Sequence, residues 1–290
     1  SFNFNIRADG SNQFGKDIST RFLPIWSISG RWNAHEELFL QNVKWLEVLA
    51  VRGSFGIQGN VNEEQVPDMI LTMGGMDNIS EEYSSTLYKV PNDHLKWEKT
   101  QSYNLGINLV VLRGLLDVTL EGYKKTGKNM IVTKEITSTN GASRVAINRG
   151  SLRNKGWELS LGWSDRVNDF GYSISANLSD NRSKVVDLGD TGPWKGSNTY
   201  TEVGLPFNSI YGYESMGLFQ SDKEVADAPF QNSKTGAGDI RYKDQNGDNK
   251  IDANDRVVLG DPNPHFLYGL NLSLDYKNFD LGMFFQGVGQ

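Results

Sequence analysis

The chain has 290 residues, 35 acidic against 29 basic side chains for a net charge of −6, and no cysteine. The acidic balance argues against a nucleic-acid partner, which calls for a basic stripe, and the lack of cysteine excludes disulfides, thiol catalysis and thiolate zinc sites. No apolar run approaches the roughly 20 residues that a membrane helix requires, so crossing a membrane is open to this chain only as a closed β-barrel.

From the N-terminus, Phe2, Phe4, Ile6 and Ala8 alternate with Asn3, Asn5 and Arg7. Leu116, Val118 and Leu120 alternate with Asp117, Thr119 and Glu121, and Trp157, Leu159, Leu161 and Trp163 with Glu158, Ser160 and Gly162. Tyr172, Ile174, Ala176 and Leu178 then alternate with Ser173, Ser175 and Asn177, and Tyr268, Leu270, Leu272, Leu274 and Tyr276 with Gly269, Asn271, Ser273 and Asp275. A two-residue period with one apolar face and aromatics at its margins is the pattern of a membrane β-strand with a polar lumen behind it. A soluble sandwich gives the same alternation when a second sheet covers the apolar face.

The pattern predicts about nine strands, at 2–8, 22–33, 45–56, 101–111, 115–126, 156–166, 170–181, 267–276 and 279–287. Connections at 9–21, 57–100, 127–155 and 182–266 are long, and those at 113–114, 168–169 and 277–278 are tight, with a modest one at 34–44. Alternating long and short connections fit an outer-membrane barrel, with short turns on one rim and functional loops on the other. A Greek-key sandwich has no reason to alternate so strictly. The expected fold is therefore all-β, a partial transmembrane antiparallel barrel with long extracellular loops. The chain opens and stops in mid-strand and an odd count cannot close an antiparallel barrel, so a fragment of a larger barrel is expected.

Aromatics fall into two groups. Trp26, Trp32, Trp157, Trp163, Tyr268 and Tyr276 are read as interface anchors at strand ends. Trp97, Trp194, Tyr83, Tyr88, Tyr200, Tyr211 and Tyr213 lie in or beside long loops and are candidate ligand or partner contacts, with loop self-packing as the alternative.

The loop from Asp244 to Asp255 carries a candidate calcium site. Asp244, Asn246, Asp248, the carbonyl of Lys250, Asp252 and Asp255 follow the spacing of an EF-hand-type loop, and hard oxygens suit Ca²⁺. Asn249 stands where that loop takes glycine, a place Asn fills by adopting the left-handed conformation. Asp255 replaces the longer bidentate Glu. A solvated acidic turn without an ion is the alternative, and a bound ion would be structural.

Catalysis is not expected. His35, His94 and His265 are scattered without ligand spacing, and Glu36-Glu37, Glu63-Glu64 and Glu81-Glu82 are adjacent pairs whose side chains diverge. No nucleophile elbow or phosphate loop is present.

Motifs along the whole chain resemble the SusC/RagA family of TonB-dependent outer-membrane transporters. They run from Arg7-Ala8-Asp9-Gly10-Ser11 with Phe14-Gly15, through Gly30-Arg31-Trp32, Val51-Arg52-Gly53-Ser54-Phe55-Gly56 and Leu95-Lys96-Trp97-Glu98, to Asn154-Lys155-Gly156-Trp157-Glu158. Gly238-Asp239-Ile240-Arg241-Tyr242, Gly260-Asp261-Pro262-Asn263-Pro264 and Phe284-Phe285-Gln286-Gly287 complete the order. The resemblance implies that residues 1–290 are part of a barrel of about 22 strands, with the plug, the TonB-contacting box and further strands, the last few among them, outside this sequence. It also implies import of oligosaccharides or oligopeptides energised through TonB, and a SusD-like surface lipoprotein as partner. The competing expectation is a soluble calcium-dependent β-rich binding module.

Overall fold

The structure is a computed structural model that describes residues 1–11, 18–61, 68–137, 139 and 141–289. Phe14-Gly15 and Glu63-Glu64 lie outside the described residues. Its main element is a sheet of nine strands: β1 (Phe2–Gly10), β2 (Phe22–Asn33), β3 (Leu46–Asn60), β6 (Glu98–Val111), β7 (Leu116–Glu135), β8 (Arg144–Val167), β9 (Phe170–Asp187), β16 (Phe266–Tyr276) and β17 (Phe279–Gly289). They pair in that order, so every strand lies beside its predecessor in the sheet. All eight pairings are antiparallel, and the sheet is open between β1 and β17. A separate hairpin, β4 (Ile70–Met76) with β5 (Tyr83–Lys89), fills the connection from β3 to β6.

Register sorts the side chains into rows. Trp32, Val51, Ile107, Leu120, Leu159, Leu178 and Tyr268 are successive cross-strand partners, forming one apolar row over seven strands. Beside it run Val118, Leu161, Ala176, Leu270 and Phe285. Trp26, Phe55 and Tyr103 extend this face as an aromatic ladder with ring centroids 5.0 and 4.6 Å apart. The opposite face carries Asn108, Thr119, Ser160, Asn177, Gly269 and Gln286 in one row. There Asn108 Nδ2 donates to Thr119 Oγ1 at 3.0 Å.

Among the described residues no second layer covers the apolar face, and Ile107, Leu120, Leu161, Ile174 and Leu270 stay exposed. The buried core lies elsewhere: Leu23, Ile25, Leu95 and Trp97 pack together with Val61, Ile131 and Ala146, residues that come from the long-loop ends of the strands.

Twice on the polar face a glycine separates an arginine from a carboxylate. Arg52, Gly106 and Glu121 are consecutive partners in one row, and Arg166, Gly171 and Asp275 in another. In both, the arginine reaches across the glycine to pair with the carboxylate two strands away. A Cβ on Gly106 would stand 2.6 Å from Arg52 Nε, and one on Gly171 would stand 2.8 Å from Arg166 Nη2. Glycine keeps these paths open.

The tight turns form as expected at 168–169 and 277–278, and the one read at 113–114 spans 112–115. Asn168 (φ 56°) and Lys277 (φ 52°) begin two-residue connections, and Leu112, Arg113 and Gly114 all take positive φ between β6 and β7. On the other rim the strands run further than predicted. β7 continues to Glu135 and β8 begins at Arg144, so most of the stretch 127–155 is paired strand rather than loop. The connections read as 57–100 and 182–266 shorten likewise, to 61–97 and 188–265. Trp157 consequently lies within its strand rather than at its end, and Trp26 lies inside β2, whose bounds are those expected. Where the chain leaves that band it is bulged: β7 and β8 change register around Gly127 and Met130, and β8 and β9 between Ser151 and Leu152.

Replacing Gly106 by Val is expected to dislodge Arg52 from Glu121 and to cost about 1–3 kcal/mol, as overpacking does. The midpoint for loss of heat-resistant gel mobility of the assembled full-length barrel should fall. In a Glu121→Gln background the same change should cost less, and equal losses in both backgrounds would refute the bridging role of the glycine gap.

Candidate functional site

Residues 192–263 form a compact unit of their own, distinct from the unit of residues 1–191 and 264–290. Four short strands make its main sheet, in the order β10 (Trp194–Lys195), β11 (Thr199–Thr201), β12 (Ser209–Tyr213) and β15 (Arg256–Gly260). A pair, β13 (Ser215–Leu218) with β14 (Ile240–Tyr242), brackets the helix α1 (Asp222–Asp227). Ser221 caps α1 by accepting the Glu224 amide at 3.3 Å, and the Glu224 carboxylate takes Arg241 at 3.0 Å.

The unit's tyrosines are brought together by strand pairing, in the main sheet and in the β13–β14 pair. Tyr200 and Tyr211 stack at 5.2 Å with 25° between their planes, and Tyr213 meets Tyr242 at 5.2 Å. Arg256 lies over Tyr211 at 4.5 Å and Lys195 near Tyr200 at 5.9 Å, both as cation–π contacts. Arg256 also donates to the carbonyls of Tyr211 and Ser197. Burial and then the neighbouring Glu202 carboxylate raise the Tyr200 hydroxyl above its ordinary pKa. Trp194 sits half-buried on β10 opposite Thr201. Half-exposed rings with polar edges can stack on a sugar ring or an apolar side chain and hydrogen-bond beside it. Tyr242 and Arg256 were not among the sequence candidates, and only the strand pairing puts them beside Tyr213 and Tyr211.

The acidic loop is ordered by its own carboxylates. Asp244 accepts the amides of Gly247 and Asn249 at 2.7 and 2.8 Å, Asn246 that of Asp248 at 2.9 Å, and Asp248 that of Lys250 at 2.9 Å. Asp252 caps a single turn by accepting from Asn254 at 2.8 Å, and Asp255 returns the favour to the Asp252 amide at 2.8 Å. Asn249 has φ 65°, the left-handed conformation expected of it, and Gly247 has φ 77°. Asp255 has no exposed surface. The Asp252 amide foremost, with those of Gln245 and Asn246, outweighs burial and holds its carboxyl below the usual range. The Gln245 amide donates to Asp255 Oδ1 at 2.9 Å, which joins the two ends of the twelve-residue loop. Gln245 and Lys243 both donate to Glu214, at 2.8 and 3.1 Å, and hold that carboxyl low as well. Flanking Lys250, the Asn249 carbonyl and the Ile251 amide bond to Phe230 at 3.0 and 2.9 Å. Among the described residues no three His, Cys, Asp or Glu side chains converge as a metal-holding group, and those of this loop are spread over backbone amides.

The remaining candidates divide. Tyr83 and Tyr88 stand exposed on the β4–β5 hairpin, at 71% and 66%. Trp97 is taken up by packing: it is 8% exposed in the core beside Leu23, and its Nε1 donates to the Arg21 carbonyl at 3.1 Å. His35 is structural as well, its Nδ1 accepting the Leu49 amide at 3.2 Å.

Comparison with known proteins agrees with this architecture. The family described as TonB dependent receptor-like, beta-barrel matches residues 1–286. TonB-dependent receptor P26 of Formosa agariphila is 32% identical over 97% of this chain, and TonB-dependent receptor SusC of Bacteroides thetaiotaomicron is 30% identical over 96%. The chain spans 29% and 28% of the lengths of these relatives. The RagAB peptide importer in its open-open state superposes with a TM-score of 0.80 at 22% identity, covering 99% of this chain and 30% of that one, which shows a common fold. The chain belongs to the TonB-dependent receptor β-barrel family.

Proposed function

We propose that this chain is part of the wall of an outer-membrane transporter of the SusC/RagA type, which imports oligosaccharides or oligopeptides rather than catalysing a reaction. The apolar rows face lipid and the polar rows face the lumen. The observation that carries this reading is the uncovered apolar face, in register across the sheet, on strands whose connections are short on one rim and long on the other. A soluble calcium-dependent binding module needs a second layer over that face, and no part of this chain supplies one among the described residues.

A relative named TonB-dependent receptor SusC and the fold shared with the RagAB peptide importer support a receptor of this type, and this reading keeps both oligosaccharide and oligopeptide as cargo. Energy from TonB, received by parts of the protein outside this sequence, and a SusD-like lipoprotein over the long-loop rim belong to the same reading. Ligand or partner contacts are assigned to Trp194, Tyr200, Tyr211 and Tyr213 in the loop unit and to Tyr83 and Tyr88 on the hairpin. Calcium in the 244–255 loop completes it, held by Asp244, Asn246, Asp248, the Lys250 carbonyl, Asp252 and Asp255. An ionised carboxylate that accepts an amide retains lone pairs for a cation, and four carboxylates within twelve residues favour one. The ion would order the loop and supply no chemistry.

Three outcomes are expected of the full-length protein. Leu272→Arg should cost about 2–4 kcal/mol near the bilayer midplane and Ser273→Arg far less, and a cysteine at Leu272 should resist an impermeant maleimide that labels one at Ser273. Reversed labelling would invert the faces. Removing the hairpin 70–89 should leave a heat-modifiable barrel but weaken uptake or lipoprotein capture, and full activity without it would separate the hairpin from function. Residues 192–263 should resist trypsin better in calcium than in chelator, with Asp248→Ala abolishing the difference. Equal resistance in all four conditions would remove calcium from the reading.

A further inference from the structure

Directly beyond the apolar rows, toward the long-loop rim, the same face of β7, β8 and β9 turns basic. Lys124, Lys155 and Arg182 are consecutive cross-strand partners, one row past Gly122 and Trp157, and Tyr103 on β6 stands level with them. In the next row Arg153 and Lys184 are partners. Lys124, Lys155, Arg182 and Lys184 are exposed. Among the described residues only Arg182 has a carboxylate partner, Asp180 at 3.1 Å, and Arg153 Nε is buried without any hydrogen-bond acceptor.

Like charges directly opposite on neighbouring strands destabilise a sheet, and strands lie only about 4.8 Å apart. Lysines scattered for solubility would alternate with acids, as the chain's net charge of −6 makes easy. Here five cations on three adjacent strands share one face, with Asp180 as the one carboxylate in their rows and the row adjoining them among the described residues, immediately above an aromatic and aliphatic band. The chemical complement of that surface is an amphiphile: acyl chains against the apolar rows, and an anionic head with several oxygens among the cations.

We propose that Lys124, Lys155, Arg153, Arg182 and Lys184 form a binding surface for the phosphate head group of a membrane lipid whose acyl chains lie along Leu120, Leu159 and Leu178 below. The proposal rests on the reading that this face is the lipid-facing side of a barrel wall. The lipid phosphate supplies the missing counter-charge for the lysine row, and its tails cover apolar side chains that nothing in the chain covers. A free phosphate would satisfy the charges but not the band, so the source is the lipid.

The test uses native mass spectrometry of the full-length receptor in detergent, with dioleoyl phosphatidic acid and, as the tail-matched control without phosphate, dioleoylglycerol. Wild type should retain phosphatidic acid in preference, and a Lys124→Gln, Lys155→Gln, Lys184→Gln variant should lose about fivefold in that preference for each cation removed. Lys125→Gln, on the opposite face, should leave it unchanged. No preference in wild type, or an undiminished one in the triple variant with unaltered heat-modifiability, overturns the proposal. Displacement of the lipid by millimolar inorganic phosphate alone overturns the lipid assignment in favour of a free-anion site. A cysteine at Leu159 separates the two readings: shielded from impermeant maleimide while lipid preference is absent, it leaves the wall intact and rejects only the head-group surface, whereas free labelling rejects the wall itself.

Discussion

Register over eight successive antiparallel pairings is the constraint on which the rest of this structure depends. Side chains alternate strictly along a strand, so slipping one pairing by a single residue would carry every apolar side chain of that strand to the polar face. The row from Trp32 to Tyr268 survives only because no such slip occurs between β2 and β16 within the band. Tight turns help to fix it, with Asn168 and Lys277 in the left-handed region. So do the two arginine-glycine-carboxylate rows, which tie three strands at a time and can form only in the observed alignment.

Below and within the apolar band, the strands were legible in the sequence because one face is apolar and the other polar. Above the band that contrast vanishes. Lys124, Lys125 and Lys128 on β7, and Arg153, Asn154 and Lys155 on β8, place polar groups on both faces, so the period that marks a strand is absent although the backbone ladder continues. This is why the stretch 127–155 reads as a loop and folds mostly as a hairpin. Trp97 was ambiguous for a different reason: its burial depends on Leu23 and Ile131, which are distant in sequence.

The loop unit shows which features of a site a sequence can carry. The acidic loop follows from local spacing, and its bonds are local too, with Asp244, Asn246 and Asp248 each turning back onto amides within five residues. The aromatic cluster is the opposite case. Tyr200 and Tyr211 are separated by a turn, and Arg256 reaches Tyr211 from a strand 45 residues away. Their association follows from the order of a four-stranded sheet whose strands are too short, at two to five residues, to announce themselves by periodicity.

The bulges on β7, β8 and β9 fall at one level, because Gly127 lies opposite Leu152 and Ser151 opposite Asp187. An inserted residue bends its strand and sharpens the local twist, so three neighbouring strands share a crease at the same height. Above that crease the paired segments of β7 and β8 leave the line of the strands below, and the extra residues leave the register of the apolar rows beneath untouched.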